Sequence, residues 1–216
     1  FIRNVSETTS VGGYFIGTSY DGKTIFDMLK RKKVGESVFV MENDEKLWEV
    51  TKQYDKDEFL DNENCLGYAI DVYQESINKT FREYLVNYQY FTRILENYGF
   101  TLLNESEIKS LNLPDSTGLF NDLFGIMKNE IKRNRRTEND YGTAAKMTDG
   151  EKKISFLNRY FIYKKIRNVD AEKITVNLLG TSYSDVKEEN IESEIATEEI
   201  KEVVQENKKK KPKKIK

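Results

Sequence analysis

Residues 67–95 read GYAIDVYQESINKTFREYLVNYQYFTRIL, and two periodicities meet inside them. GYAIDVYQES alternates apolar and polar residues and is rich in β-branched and aromatic side chains, which predicts a strand. REYLVNYQYFTRILENYGF predicts a helix from Arg82 that stops at Gly99. Phe81, Leu85, Tyr88 and Phe91 recur at helical spacing and form its apolar face. Glu83 falls at the strand-to-helix mouth, a carboxylate among aromatic rings. The plain explanation for it is a helix-terminal one, because the positive end of the helix dipole favours a carboxylate.

Working outward, FIRNVSETTS predicts a helix carrying Phe1, Ile2 and Val5, closed by Gly12–Gly13. A chain that opens inside a helix, on Phe and not Met, is expected to be the C-terminal piece of a longer one. Tyr14–Thr18 predicts a short buried strand, and TIFDMLKRKK a helix with Ile25, Phe26, Met28 and Leu29 inward. ESVFVMENDEKLWEVTKQYD predicts a hairpin turning at Glu42, Asn43 and Asp44. TLLN predicts a further strand, LFNDLFGIMKNEIKR a helix in the polar stretch 104–150, and KKISFLNRYFIYKKIR a central strand. This order predicts an α/β fold whose last strands pair antiparallel. Residues 1–181 are expected to form the domain. Residues 182–216, acidic and then basic, have too few large apolar side chains to offset their ordering entropy and are expected to be a disordered tail.

Composition excludes several chemistries. One third of the 216 residues are charged, yet the net charge is -2, so no chain-wide footprint for nucleic acid exists. There is no histidine, which removes imidazole triads and histidine metal ligands. A single cysteine, Cys65, allows no internal disulfide and fits a reducing compartment. No apolar run reaches membrane-spanning length and no signal peptide opens the chain, so an intracellular protein is expected. No G-x-G-x-x-G occurs in SVGGYFIGTSYDGKT, and GTSYDGKT (17–24), although it carries the letters of G-x-x-x-x-G-K-[ST], is read as a turn.

Three blocks carry a resemblance. FIRNVSETTSVGGYFIGTSYDGKTIFDMLK, with Arg3–Glu7 and Gly12–Thr18, resembles the segment after the fourth strand of mRNA cap (guanine-N7) methyltransferases. GYAIDVYQESINKTFREYLV is similar to the region where that family carries E-[YF]-L-V, and ISFLNRYFIYKK to its closing strand. The wording is nearest to multifunctional capping enzymes of giant DNA viruses. The resemblance implies the C-terminal part of a class I S-adenosylmethionine-dependent methyltransferase fold, a mixed sheet with antiparallel closing strands. It implies transfer of a methyl group to N7 of the cap guanine, with no general base. S-adenosyl-L-methionine would be bound by a missing N-terminal half, leaving no cofactor-binding residue here.

The same resemblance implies that Glu83 reads the guanine edge. It places Tyr73 near the cap and Tyr20 where many members have a proline, and it puts an aromatic contact on the closing strand, around Phe156, Leu157, Asn158 and Tyr160. Expected partners are the capped mRNA 5' end and upstream triphosphatase and guanylyltransferase domains of the same chain. A viral enzyme would work in the host cytoplasm, in viral factories, or in the virion. Two alternatives stay open: a catalytically silent, stimulatory subunit of a capping complex, and a class I methyltransferase for another substrate.

Overall fold

The computed structural model describes residues 1–179; the expected tail lies outside the described residues. Ile2–Asn168 is one compact unit, and Val169 onward, with a helix at Ala171–Leu179, belongs with Phe1 to a second. Among the described residues no helix is long and apolar enough to cross a membrane.

In the larger unit the helices are α1 (Ile2–Thr8), α2 (Gly22–Leu29), α3 (Tyr88–Asn97), α4 (Glu105–Ser110), α5 (Phe120–Arg133) and α6 (Asp149–Ser155). The strands are β1 (Tyr14–Tyr20), β2 (Ser37–Glu42), β3 (Glu45–Lys52), β4 (Ala69–Gln74), β5 (Lys79–Tyr84), β6 (Phe100–Leu102), β7 (Thr117–Leu119) and β8 (Asn158–Lys165). They make an α/β unit with two four-stranded sheets. In one, β8 pairs antiparallel with β1, β6 and β7; the other is the meander β2-β3-β4-β5.

Local chemistry explains most elements. Asn43 and Asp44 both take positive φ, so the β2–β3 hairpin turns on two residue types that tolerate the left-handed region. Asp21 caps α2 by accepting the Thr24 N–H, and the helix buries Ile25, Phe26 and Leu29. These meet Trp48, Val50, Ile70 and Val72 from the meander, forming the core between α2 and that sheet. The Trp48 indole N–H donates to the Gly150 carbonyl at 3.0 Å, which pins α6 to β3. On the first sheet, Phe91 of α3 packs its ring against Phe161 and Tyr163 of β8. The buried Lys165 ammonium donates to the Ser6 and Thr9 carbonyls and so satisfies the C-terminal end of α1.

The decisive stretch differs from its sequence reading. Residues 79–84 are not the first turn of a helix but β5, an edge strand folded back on β4. Asn78, with φ of 51°, makes the turn, and Arg82 grips Asp71 across the strands at 2.8 and 2.9 Å. The helix begins only after Asn87, whose side chain accepts the Tyr90 N–H. Phe81 therefore belongs to β5, and Tyr88 and Phe91 to α3; their helical spacing is coincidental.

The two sheets join where Asp21 and Val86 form an isolated parallel bridge and the Gly22 N–H donates to the Val86 carbonyl at 3.1 Å. A Cβ at Gly22 would collide with that carbonyl and come within 2.9 Å of the Phe59 ring. Alanine normally stabilises a helix over glycine by about 1 kcal/mol. Here Gly22→Ala is expected to destabilise instead, by about 2 kcal/mol, because overpacking against backbone has no rotamer escape. The urea midpoint of unfolding reads the sign directly.

Candidate functional site

Glu83 faces Ile70 across the β4–β5 ladder, on the core-facing side of the meander. Its side chain is open to solvent on the edge strand, yet neighbouring protein desolvates it enough to push its carboxyl above the ordinary range. It has no hydrogen-bond or ion-pair partner among the described residues. Capping of α3 does not explain it, because Asn87 fills that role. What remains is a free carboxylate on the rim of an aromatic core.

Tyr20 closes β1, is 8% exposed and lies in the same core. Its phenol accepts a hydrogen bond from the Gln74 amide at 2.9 Å. Burial, with a smaller contribution from the Glu83 charge, pushes its pKa up to about 12. Tyr20 and Glu83 are thus close enough for one to sense the other, and Gln74 shares their side of the sheet. The sequence reading missed Gln74. Its alternation with Ile70 and Val72 was the available signal, since strand parity puts all three on one face.

The other expected contacts sit elsewhere. Tyr73 pairs with Thr80 on β5, and that parity points it to the face opposite Glu83. There its hydroxyl donates to the Asn78 side chain at 3.3 Å. Phe156 is not on the closing strand: it is the C-cap of α6, and its ring packs 5.4 Å from Phe124. Tyr160 does lie on β8, opposite Thr18, and so shares a face of the first sheet with Tyr20. Its hydroxyl already donates to the Asp115 carbonyl at 3.0 Å, and it is buried against Gly118. The closing-strand residue that stands directly opposite Tyr20 is Asn158.

One residue beyond Tyr20 the environment becomes ionic. Asp21 is 4% exposed; it accepts from the Thr24 backbone and hydroxyl and from Arg159 Nε at 2.6 Å. The Arg159 guanidinium also lies 5.2 Å from the Tyr88 ring centre. Burial pushes the Asp21 carboxyl up, but the bonds from Thr24 and Arg159 outweigh it and hold it below the usual carboxylate range. These residues line a cleft of about 520 Å³ with Asn87, Thr92 and Thr117.

Residues 1–166 match the family of the mRNA (guanine-N(7))-methyltransferase domain, and the chain belongs to that family. A relative, the probable mRNA-capping enzyme of Acanthamoeba polyphaga mimivirus, is 29% identical over 168 residues, covering 75% of this chain. The chain spans only 12% of the length of that relative.

Asp21→Asn is expected to destabilise the domain by about 3 kcal/mol, the lower end for breaking a buried pair, because Arg159 keeps some solvent contact. The sign with pH follows from the depressed carboxyl. The stability it contributes is present above the unfolded pKa of about 3.9 and is lost as pH falls through the lower folded value. Acid unfolding followed by circular dichroism should show that loss in the wild type and a flatter acid limb in Asp21→Asn.

Proposed function

We propose that this chain forms the guanine-side wall of a cap guanine-N7 methyltransferase, whose S-adenosylmethionine site is built by residues preceding Phe1. The reading rests on Glu83: a partner-free, partly desolvated carboxylate beside Tyr20, in a chain of this family. The Watson–Crick edge of guanine presents N1–H and N2–H₂ side by side. An ionised Glu83 accepts from both, each charge-assisted bond contributing roughly 1.5–3 kcal/mol.

Guanine N7 bears a lone pair and no proton. It attacks the sulfonium methyl carbon directly, the carbon–sulfur bond breaks, and the sulfur leaves as a neutral thioether. No base is needed, so the lack of histidine costs the chain nothing. Placement is the main requirement, and orientation alone is worth roughly 7–11 kcal/mol. Glu83 fixes the base in its plane, while the Gln74 amide and the Asp21 frame hold Tyr20 at the end of β1.

The strand order β1-β8-β6, with β8 antiparallel to both neighbours, supports taking these as the last three strands of a class I methyltransferase sheet. The other edge of β1 has no strand partner among the described residues, and Tyr14 and Ile16 on it are exposed. That is where the sheet would continue. The mimivirus relative favours a setting in which triphosphatase and guanylyltransferase domains share the polypeptide.

Glu83→Ala and Glu83→Gln, made in the intact polypeptide, are expected to lower kcat/KM for capped RNA by roughly 30- to 1000-fold, equivalent to about 2–4 kcal/mol. S-adenosylmethionine affinity should not change; undiminished transfer in both variants removes Glu83 from guanine recognition. Because its carboxyl is raised, wild-type kcat/KM should fall on the acid side at a higher pH than for an ordinary glutamate. Residues 1–216 alone should give no S-adenosylmethionine isotherm in calorimetry, and a clear isotherm would refute the division of the donor site proposed here.

A further inference from the structure

Lys132, Arg133, Arg135 and Arg136 occupy four of five consecutive positions at the C-terminal end of α5, and all four are exposed. None makes an ion pair among the described residues. Some cations are matched, among them Lys23 with Asp27, Lys46 with Glu49, Arg82 with Asp71, Arg159 with Asp21, and Lys164 with Glu107, while the basic run 30–33 is likewise without an ion pair among the described residues. The helix dipole accounts for Lys132 and Arg133, in the last turn. It does not account for Arg135 and Arg136, which lie beyond the C-cap Asn134. The nearest helical carboxylate, Glu130, accepts from the Tyr141 hydroxyl at 2.5 Å. Four unneutralised cations on one short exposed stretch attract anions, and their position relative to the site is what distinguishes them from the run 30–33.

The mounting of α5 indicates which anion. The helix starts directly after β7, which pairs with β8 from Phe161 to Arg159, beside the site. Its buried Met127 and the Phe124–Phe156 ring contact fix it near the start of β8. Lys128 and Lys152 each place an ammonium 5.8 Å from the Phe124 ring centre. Lys132 follows Lys128 one turn on, about 6 Å along the axis, and the whole helix is about 20 Å long. Lys152 is neutralised by Asp149, so the unpaired cations run from Lys128, beside the Phe124–Phe156 contact, outward to Arg136.

We propose that this series binds the phosphodiester backbone of single-stranded RNA leading away from the capped end, an inference that rests on the guanine-N7 methyltransferase reading. Phosphate contacts carry no sequence information, and they suit an enzyme whose substrates share a cap and differ in everything after it.

The test uses the intact polypeptide in which Lys132, Arg133, Arg135 and Arg136 are all changed to Gln, with an Arg→Lys control at the three arginines. For a capped RNA of a few tens of nucleotides, the slope of log K against log salt should flatten by about 0.7 per cation removed. Between 50 and 200 mM salt, wild type should then lose about fifty-fold more affinity than the variant, from four such contacts. The lysine control should keep the wild-type slope, and the KM for a cap dinucleotide should be the same in all three proteins. An unchanged slope and unchanged affinity for the long RNA in the Gln variant would overturn the proposal. If wild type transfers no methyl group to either substrate, the methyltransferase reading fails, while the salt slope still decides whether this surface binds RNA.

Discussion

The carboxylate of Asp21 is the point on which the larger unit turns. Its backbone N–H donates to the Leu157 carbonyl, next to the start of β8, and the residue bridges to Val86 between β5 and α3. Its side chain caps α2 and pairs with Arg159. A buried ion pair alone is weak evidence of stability, since desolvating two charges offsets much of their attraction. Here the carboxylate accepts three bonds on two oxygens, so the desolvation cost is met by specific partners. The consequence is geometric: three chain ends, each carrying a residue of the proposed site, are held to one residue. Tyr20 precedes Asp21, Asn158 follows Leu157, and Glu83 lies three residues before Val86.

Much of this was legible in the sequence, and the failures have definite causes. The β2–β3 hairpin could be read because Asn43–Asp44 suits a turn that needs positive φ at both positions. Helix α2 showed a clean apolar stripe, and β8, paired on both sides, showed the density of a central strand. The stretch after Asn78 misled because one strand residue, Phe81, one linker residue, Leu85, and two helix residues, Tyr88 and Phe91, fell by chance on a 3.6-residue period. Only long-range facts separate them: Arg82 bonds to Asp71, and Asn87 caps a helix that starts five residues after Glu83. Phe156 was misplaced although Thr148 and Glu151 form a capping box, a local helix-start signal just before the run taken for a strand. That Tyr73 and Glu83 lie on opposite faces was hidden because, once Glu83 was read as helical, the parity of the two residues across a ladder could not be compared.

Placing Glu83 on an edge strand also changes what its charge means. At a helix N-terminus a carboxylate has a structural explanation and would sit below the usual range. On β5 it has neither cap nor cation, and partial burial raises its proton affinity, a cost the fold bears without evident return. Local rules broken without compensation concentrate at functional sites. The desolvation that makes Glu83 costly when empty is what would strengthen its bonds to guanine's two donors, because hydrogen bonds gain strength as local polarity falls. Deeper burial would strengthen those bonds further but would also favour the protonated acid, which cannot accept both donors through one charge. An edge strand, open on one side, holds the carboxylate between these limits. The Asp21 junction supplies the rigidity that an edge strand lacks.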